Sequence, residues 1–319
     1  MILHVGIFAI SCFILIFSGN WLIKSLNDVA NFFSLKKFTV AFLLMSLATA
    51  APEMFVGISS ALRGVPELSL GNILGQNIIH FTVAVFLCVL IRGEFSVKNK
   101  TTRVSALFSG FMAIFPLILI LDGNLSRPDG VTLIMFFISY AVWMLKRSHR
   151  FEEPLELQNQ APKQILEKLT LFFKALKSFA IGIIFLIIAS QGIVRSAIFF
   201  ASELDIPLVI IGVLIVGLGT ALPEVFFSAF SARSSNSELM TGNLLGSTVV
   251  STSLVLGVVS IISPITNITL FSYFLGRVAL VVSVFLFINF MFSEKKISWK
   301  ESLVLLSVYI VFIVLEISI

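Results

Sequence analysis

The chain has 319 residues, of which 58% are hydrophobic and 12% are charged, and its mean hydropathy is +1.06. A soluble domain has about half of its residues apolar and about a quarter charged. The composition therefore excludes an ordinary soluble enzyme and a disordered chain, and it leaves room for about ten membrane spans of ~20 residues. The net charge of +5 is spread over the connections between apolar runs. It indicates membrane topology and not nucleic-acid binding.

Apolar runs separated by charged or turn-rich segments predict ten membrane-spanning helices. In chain order they lie near 3–21, 38–62, 68–91, 103–121, 130–146, 178–201, 206–232, 239–263, 268–292 and 300–318. The one long polar segment, 147–170, separates a first five-helix repeat at 1–146 from a second at 171–319. We therefore expect an all-α integral membrane protein of about ten transmembrane helices, arranged as two five-helix repeats with a linker between them.

The basic residues predict how these helices are oriented. Connections after the odd-numbered spans carry 18 Lys and Arg residues, whereas the opposite side carries only Arg63, Arg127 and Arg195. Positive charge is retained on the cytoplasmic side of a membrane. We therefore expect a protein of the cell (inner) membrane with the 147–170 linker in the cytoplasm and both termini outside.

A shift of 171 residues aligns the two halves, with 13 identities in 30 positions between 49–78 and 220–249. The aligned motifs are Thr49-Ala50-Ala51-Pro52-Glu53 with Thr220-Ala221-Leu222-Pro223-Glu224, and Gly71-Asn72-Ile73-Leu74-Gly75 with Gly242-Asn243-Leu244-Leu245-Gly246. Five spans separate equivalent positions, and five is odd, so the two copies cross the membrane in opposite senses. Such inverted repeats are typical of secondary transporters, whose sites lie near the membrane midplane.

Two carboxylates, Glu53 and Glu224, follow the repeated prolines about midway along their spans. Pro52 and Pro223 are predicted to break these helices, because proline lacks an N–H and clashes with the carbonyl four residues earlier. A carboxylate at this depth is costly and indicates function. The inverted repeat is expected to bring the pair together, and two buried carboxylates need a cation or protons between them. The alternative is a structural role, in which each is neutral or paired with Arg277.

The polar groups around these carboxylates are oxygen donors, which favour hard cations such as Ca²⁺ and Na⁺. They include the hydroxyls of Thr49 and Thr220, while Asn72 and Asn243 are either ligands or interhelical hydrogen-bonding groups. Four further polar residues lie at matched distances from the carboxylates, 23 and 27 positions on in each repeat: Gln76, His80, Ser247 and Ser251. Within each repeat the two are one helical turn apart on one face, so we expect them to line the same site.

These paired motifs resemble the alpha-repeats of the cation/calcium exchanger superfamily, and most closely its microbial sodium/calcium antiporters. The resemblance implies alternating access around a central group of cation sites, with the first and sixth helices sliding across a bundle formed by the rest. It implies that Glu53 and Glu224 are the central ligands. Further ligands would be hydroxyl or backbone oxygens of Thr49, Ala50, Thr220 and Ala221, with Gln76, His80, Ser247 and Ser251 lining the sites.

The sequence departs from the family pattern at several of these positions. Ala50 and Ala221 replace a serine and keep only the backbone carbonyl, and Gln76 also replaces a serine. His80 and Ser251 stand where the family usually has Asn and Asp. An acidic oxygen is thereby lost, and an imidazole that titrates near neutral pH is gained. Both changes bear on stoichiometry and on the coupling ion.

The sequence thus predicts a secondary antiporter, not an enzyme, that exchanges Ca²⁺ for Na⁺ across the lipid bilayer without a cofactor. One alternative is a cation/proton antiporter of the same fold, in which His80 or the Glu pair carries H⁺. A second is a membrane scaffold or sensor that binds cations without transporting them. The oligomeric state is left open, and no nucleic-acid partner is expected.

Overall fold

The computed structural model describes residues 1–32, 45–96, 100–148, 162–233, 237–268, 273–294 and 296–318. Its α-helices are, in chain order, α1 Ile2–Phe32, α2 Met45–Thr49, α3 Ala51–Leu62, α4 Glu67–Ile79, α5 Val85–Arg92, α6 Lys100–Leu119, α7 Arg127–Ser148, α8 Pro162–Leu204, α9 Leu208–Ile211, α10 Gly217–Arg233, α11 Ser237–Val249, α12 Leu256–Ile262, α13 Phe274–Glu294 and α14 Trp299–Ser318. Three π-helical turns continue some of these helices: His80–Ala84, Gly212–Val216 and Val250–Val255.

Eight helices in the described part of the chain are long and apolar enough to cross a membrane. They coincide with predicted spans three to ten, to within a few residues at most ends. The largest difference is α8, which begins at Pro162, well before the predicted start at 178. Predicted span one corresponds to the apolar part of α1, and 45–62 forms the described part of span two. The start of that span, 38–44, lies outside the described residues.

The connections pair with one another as the predicted topology requires. Phe95–Ser96 follows the third span and pairs antiparallel with Lys296–Ile297, which follows the ninth. On the other side, Leu125 after the fourth span forms an antiparallel bridge with Ile265 after the eighth. Each pair joins two connections that the alternating topology assigns to one side of the membrane.

The buried apolar side chains of the described residues form two large clusters and a small third one. One large cluster is centred on the antiparallel pair α1 and α8, where it includes Leu15, and it extends to Val56 of α3. The other lies in the bundle of the remaining spans and includes Phe81. The pair lies against α3, where the hydroxyls of its Ser190 and of Ser59 are 2.8 Å apart.

The prolines of the two repeats act differently on their helices. In the first repeat α2 ends at Thr49 and α3 begins at Ala51, so the predicted break occurs two residues before Pro52. In the second repeat α10 runs through Pro223 from Gly217 to Arg233, so the predicted break at Pro223 is wrong. Pro223 still has no N–H for the carbonyl of Gly219, but the rest of the helical bonding is sufficient to continue the helix.

The predicted linker 147–170 is described only at its ends. Residues 147–148 close α7, residues 149–161 lie outside the described part, and residues 162–170 belong to α8. The division into repeats at 1–146 and 171–319 stays a prediction.

Candidate cation site

The two repeated carboxylates lie inside the bundle and are fully buried. Glu53 is in the first turn of α3, and Glu224 follows Pro223 in the middle of α10; neither is exposed at all. The carboxyl groups are close enough to interact electrostatically. The sequence predicted this approach from the repeat alone. The other predicted site residues, Thr49, Ala50, Gln76, His80, Thr220, Ala221, Ser247 and Ser251, are buried as well.

Gln76 holds one oxygen of the first carboxylate. Its Nε2 donates a hydrogen bond of 3.0 Å to Oε1 of Glu53. At the equivalent position of the second repeat stands Ser247, whose shorter side chain donates instead to the carbonyl of Leu244 in its own helix. Neither oxygen of Glu224 has a hydrogen-bond partner among the described residues. The two halves of the site are therefore not equivalent.

Two hydrogen bonds cross between the repeats with matching partners. The Thr49 hydroxyl donates to Oδ1 of Asn243 over 3.1 Å, and the Thr220 hydroxyl donates to Oδ1 of Asn72 over 2.7 Å. Thr49 and Thr220 are equivalent under the 171-residue shift, and so are the two asparagines. The asparagines therefore form interhelical hydrogen bonds, as expected for one of the two roles that the sequence left open; their role as ligands stays untested.

Glycines allow two helix backbones to touch beside one of these inter-repeat hydrogen bonds. A Cβ on Gly71 would lie 2.0 Å from the carbonyl oxygen of Val209, and one on Gly75 would lie 2.1 Å from that of Val213. Any side chain at either position would force the helices apart. The contact continues to Gly217, which approaches the backbone of Asn72, so that Thr220 on the next turn reaches the Asn72 side chain.

The remaining two predicted residues lie at the start of π-helical turns. His80 opens the turn His80–Ala84, and Ser251 is the second residue of Val250–Val255, so the widened turns occur at equivalent places in the repeats. Such turns are frequent at functional sites. The His80 turn contacts α10, which carries Glu224, and the Ser251 turn contacts α3, which carries Glu53. Each carboxylate helix therefore packs against the widened turn of the opposite repeat.

These two side chains bond to their surroundings in different ways. Nδ1 of His80 lies 3.2 Å from the Thr248 hydroxyl, and its Nε2 is buried without a partner in the described part of the chain. The Ser251 hydroxyl donates to the carbonyl of Thr248 over 3.1 Å. Thr248 and its equivalent Asn77 were not among the predicted site residues, although the same shift aligns them as polar residues in apolar helices.

Arg277 does not take part in this cluster. Its guanidinium donates to the Tyr273 hydroxyl and lies 4.0 Å from the centre of that ring. The side chain of Arg277 is thus held by Tyr273, the residue that immediately precedes α13. The structural alternative that paired a repeated Glu with Arg277 has no contact to support it within the described residues.

Four oxygen atoms of the cluster are buried acceptors with no donor in the described structure. They are Oε2 of Glu53, both carboxyl oxygens of Glu224 and Oε1 of Gln76. Buried polar atoms are normally hydrogen-bonded, and a buried carboxylate without a partner is strongly unfavourable. Within the described part of the chain, no Lys or Arg side chain is buried beside them. An oxygen-rich, acidic cluster of this kind suits a hard cation.

Comparison with known families agrees with this geometry. The family described as sodium/calcium exchanger protein matches residues 3–146 and 174–318, which is nearly the whole chain. The chain belongs to this family. The exchanger is therefore an all-α membrane protein, as its sequence predicted, and it belongs with proteins that exchange cations.

Individual relatives are distant but similar over most of their length. An uncharacterized membrane protein of Methanocaldococcus jannaschii is 28% identical over 252 residues, which cover 78% of each chain. The sodium/calcium exchanger MaX1 of Methanosarcina acetivorans is 22% identical and covers 94% of each chain. A solved structure of the sodium-calcium exchanger NCX_Mj, soaked with Na⁺ and Sr²⁺, is 25% identical, covers 98% of both chains and superposes with a TM-score of 0.68.

Proposed function

We propose that this exchanger is a secondary antiporter that moves Ca²⁺ and Na⁺ in opposite directions by alternating access. Ca²⁺ and Na⁺ would compete for a midplane site centred on Glu53 and Glu224, with Gln76 and the Thr49 and Thr220 region around them. In this proposal Ala50 and Ala221 contribute only backbone carbonyl oxygens. A sodium gradient drives the exchange. Both termini lie outside the cell, and the linker lies in the cytoplasm.

The observation that carries the proposal is the set of buried carboxyl and amide oxygens with no donor among the described residues. Glu53 and Glu224 both come from the positions where the repeats match, and their mutual repulsion is relieved when a cation lies between them. Similarity to MaX1, a sodium/calcium exchanger, and to NCX_Mj, a sodium-calcium exchanger, favours Na⁺ and Ca²⁺ as the ions.

Electrostatics also explains why transport would be an obligatory exchange. Without a bound cation or proton, the site would hold two ionised carboxylates in a region of low dielectric, and carrying them unpaired through a conformational change would be costly. With Ca²⁺ or Na⁺ bound, the charge is compensated. Only loaded forms reorient readily, so the protein cannot return without a counter-ion.

The experiment is uptake of radioactive Ca²⁺ into proteoliposomes that contain the purified protein. Vesicles loaded with Na⁺ and diluted into Na⁺-free buffer should accumulate Ca²⁺, and vesicles loaded with K⁺ should not. Protein-free vesicles provide the control for leakage. Absence of Na⁺-dependent accumulation in sealed, protein-containing vesicles would contradict the proposal.

The second candidate is the cation/proton antiporter, and it is favoured by one observation. His80 is buried in the site region with Nε2 unpartnered among the described residues, and an imidazole nitrogen without a partner is a group that can accept a proton. In the same vesicles, Ca²⁺ uptake driven by an imposed pH gradient without Na⁺, and lost in His80→Asn, would replace Na⁺ by H⁺ in the proposal. Uptake that ignores the pH gradient would eliminate this candidate.

A further inference from the structure

We infer that a chain of hydrogen bonds between α3 and α8 holds the exchanger in one conformation and must break in each transport cycle. This α3–α8 latch consists of four side chains, those of Ser59, Arg63, Ser190 and Gln191. None of the four is among the proposed cation ligands. The inference rests on the proposed function, because only a transporter with alternating conformations needs a contact that opens and closes.

The hydrogen bonds of the latch run in one direction, from the exposed Arg63 into a buried interface. Nε of Arg63 donates over 2.9 Å to Oε1 of Gln191, whose Nε2 donates over 3.2 Å to the Ser59 hydroxyl. The Ser190 hydroxyl donates over 2.9 Å to the carbonyl of Ile187, so Ser59 is the donor in the 2.8 Å contact between the two hydroxyls. The four side chains are thus bonded in series, and linked hydrogen bonds of this kind strengthen one another.

The latch joins the helix of one carboxylate to the α1/α8 pair. Ser59 lies in α3, less than two turns after Glu53, and Arg63 directly follows the end of that helix. Ser190 and Gln191 lie in α8, which packs along α1. Ser59 and Ser190 are only 5% and 0% exposed, so a conformation that separates them must supply each hydroxyl with another partner.

The second repeat cannot form an equivalent latch. The 171-residue shift places Phe230 at the position of Ser59, and Gly19 at the position of Ser190. A phenylalanine side chain has no hydrogen-bonding group, and a glycine has no side chain at all. The central hydrogen bond of the latch therefore has no counterpart, and the two halves of the protein differ at this contact.

This difference gives the two conformations unequal contacts. In a transporter built from inverted repeats, alternating access is largely a rigid-body movement of one part against another around a fixed site. The opposite conformation follows when the two repeats exchange their arrangements, so that Phe230 and Gly19 take over the contact while Ser59 and Ser190 separate. The latch therefore stabilises only the conformation in which it is formed, and its release is a step of every cycle.

The test is a disulfide that prevents the latch from opening. Ser59→Cys combined with Ser190→Cys places two thiols where the hydroxyls are 2.8 Å apart, within reach of an S–S bond. Proteoliposomes of this double variant are assayed for Na⁺-driven Ca²⁺ uptake when reduced, after oxidation with copper phenanthroline, and after dithiothreitol. Mass spectrometry of the digested protein gives the cross-linked fraction. We expect oxidation to lower the uptake rate at least tenfold, and dithiothreitol to restore it.

A second pair of cysteines provides the matched control. Leu125→Cys combined with Ile265→Cys joins two connections of the bundle whose backbones are hydrogen-bonded to each other. The Cα atoms of such a pair are about 5.5 Å apart, which a disulfide can span. Its oxidation should leave uptake unchanged, because it does not fix the α1/α8 pair to the bundle. Single-cysteine variants, oxidised in parallel, show whether Cys12 or Cys88 takes part.

The outcomes separate the latch from the function beneath it. Uptake that is lost only when the latch cysteines are cross-linked supports both. Uptake that persists in the cross-linked latch variant overturns the latch and leaves Na⁺/Ca²⁺ exchange standing. Latch cysteines that do not cross-link, while the control pair does, show that the contact is not formed and also overturn the inference. If the unmodified protein shows no Na⁺-dependent uptake, the proposed function is overturned, and the latch as a step of transport with it.

Discussion

Gly75→Ala provides a direct test of the backbone contact that positions the site. The added Cβ would lie 2.1 Å from the carbonyl oxygen of Val213 and 2.8 Å from its carbon, where an ordinary contact begins at 3.4 Å. The two backbones must therefore separate by about 1.3 Å, and overpacking of a rigid contact costs about 1–3 kcal/mol. We expect the upper end of that range, since neither neighbour is a flexible side chain.

The assay measures thermal unfolding of the purified protein in detergent. Samples are heated to a series of temperatures, and size-exclusion chromatography then monitors the unfolding. Gly75→Ala should lower the midpoint by several degrees, because each kcal/mol corresponds to about 2–4 °C in a chain of 150–250 residues. Gly276→Ala is the matched control: its Cβ would meet a Val213 methyl group at 3.9 Å, an ordinary contact. Equal midpoints for the two variants would show that the backbone contact at Gly75 is not the constraint described.

Three further predictions concern individual side chains. Thr49→Ala and Thr220→Ala each leave a buried asparagine oxygen without its donor, so each should lower the free energy of unfolding by about 1–3 kcal/mol. A loss in only one of the two variants would contradict the equivalence of these inter-repeat hydrogen bonds. Gln76→Leu removes the hydrogen bond to Glu53 and should raise the half-saturating Ca²⁺ concentration in uptake assays about tenfold or more. Arg277→Ala should reduce stability by about 1 kcal/mol or less while Ca²⁺ uptake is retained.

Much of the fold was predictable from the sequence because a membrane restricts the alternatives. In lipid every backbone polar group must be bonded internally, so an apolar run of sufficient length is a helix. Predicted spans three to ten therefore correspond to described helices. The early start of α8 at Pro162 was not predictable in this way, since the polar segment before the span has no hydropathy signal.

The sequence predicted which polar residues are buried in the bundle, but not the contacts that they make; their role in ion binding stays a prediction. The repeat singled out Glu53 and Glu224 because a carboxylate in mid-membrane, present in both copies of a Pro-Glu motif, indicates a functional role. It gave no means of distinguishing Gln76, which reaches a carboxylate, from Ser247, which does not, because that difference depends on side-chain length and local packing. The helix through Pro223 was also mispredicted, since surrounding bonds compensate for one missing donor.

The widened turns had no sequence signal at all. His80–Ala84 and Val250–Val255 contain no Gly or Pro, and their residues are ordinary for membrane helices. A π-helical turn is a local rearrangement of hydrogen bonds that tertiary packing stabilises, so it is visible only in the structure. The pairing of His80 with Thr248 follows from the same packing.

The central claim is that one site, built from both repeats, binds the transported cations. It is tested most directly by Na⁺-driven Ca²⁺ uptake for Glu53→Gln and Glu224→Gln, with Glu94→Gln as the control, because Glu94 lies in a partly exposed ion pair with Lys296 outside the core. We expect either core substitution to abolish uptake, while Glu94→Gln transports as the unmodified chain does. Uptake that persists in either core variant at comparable protein levels would contradict the claim.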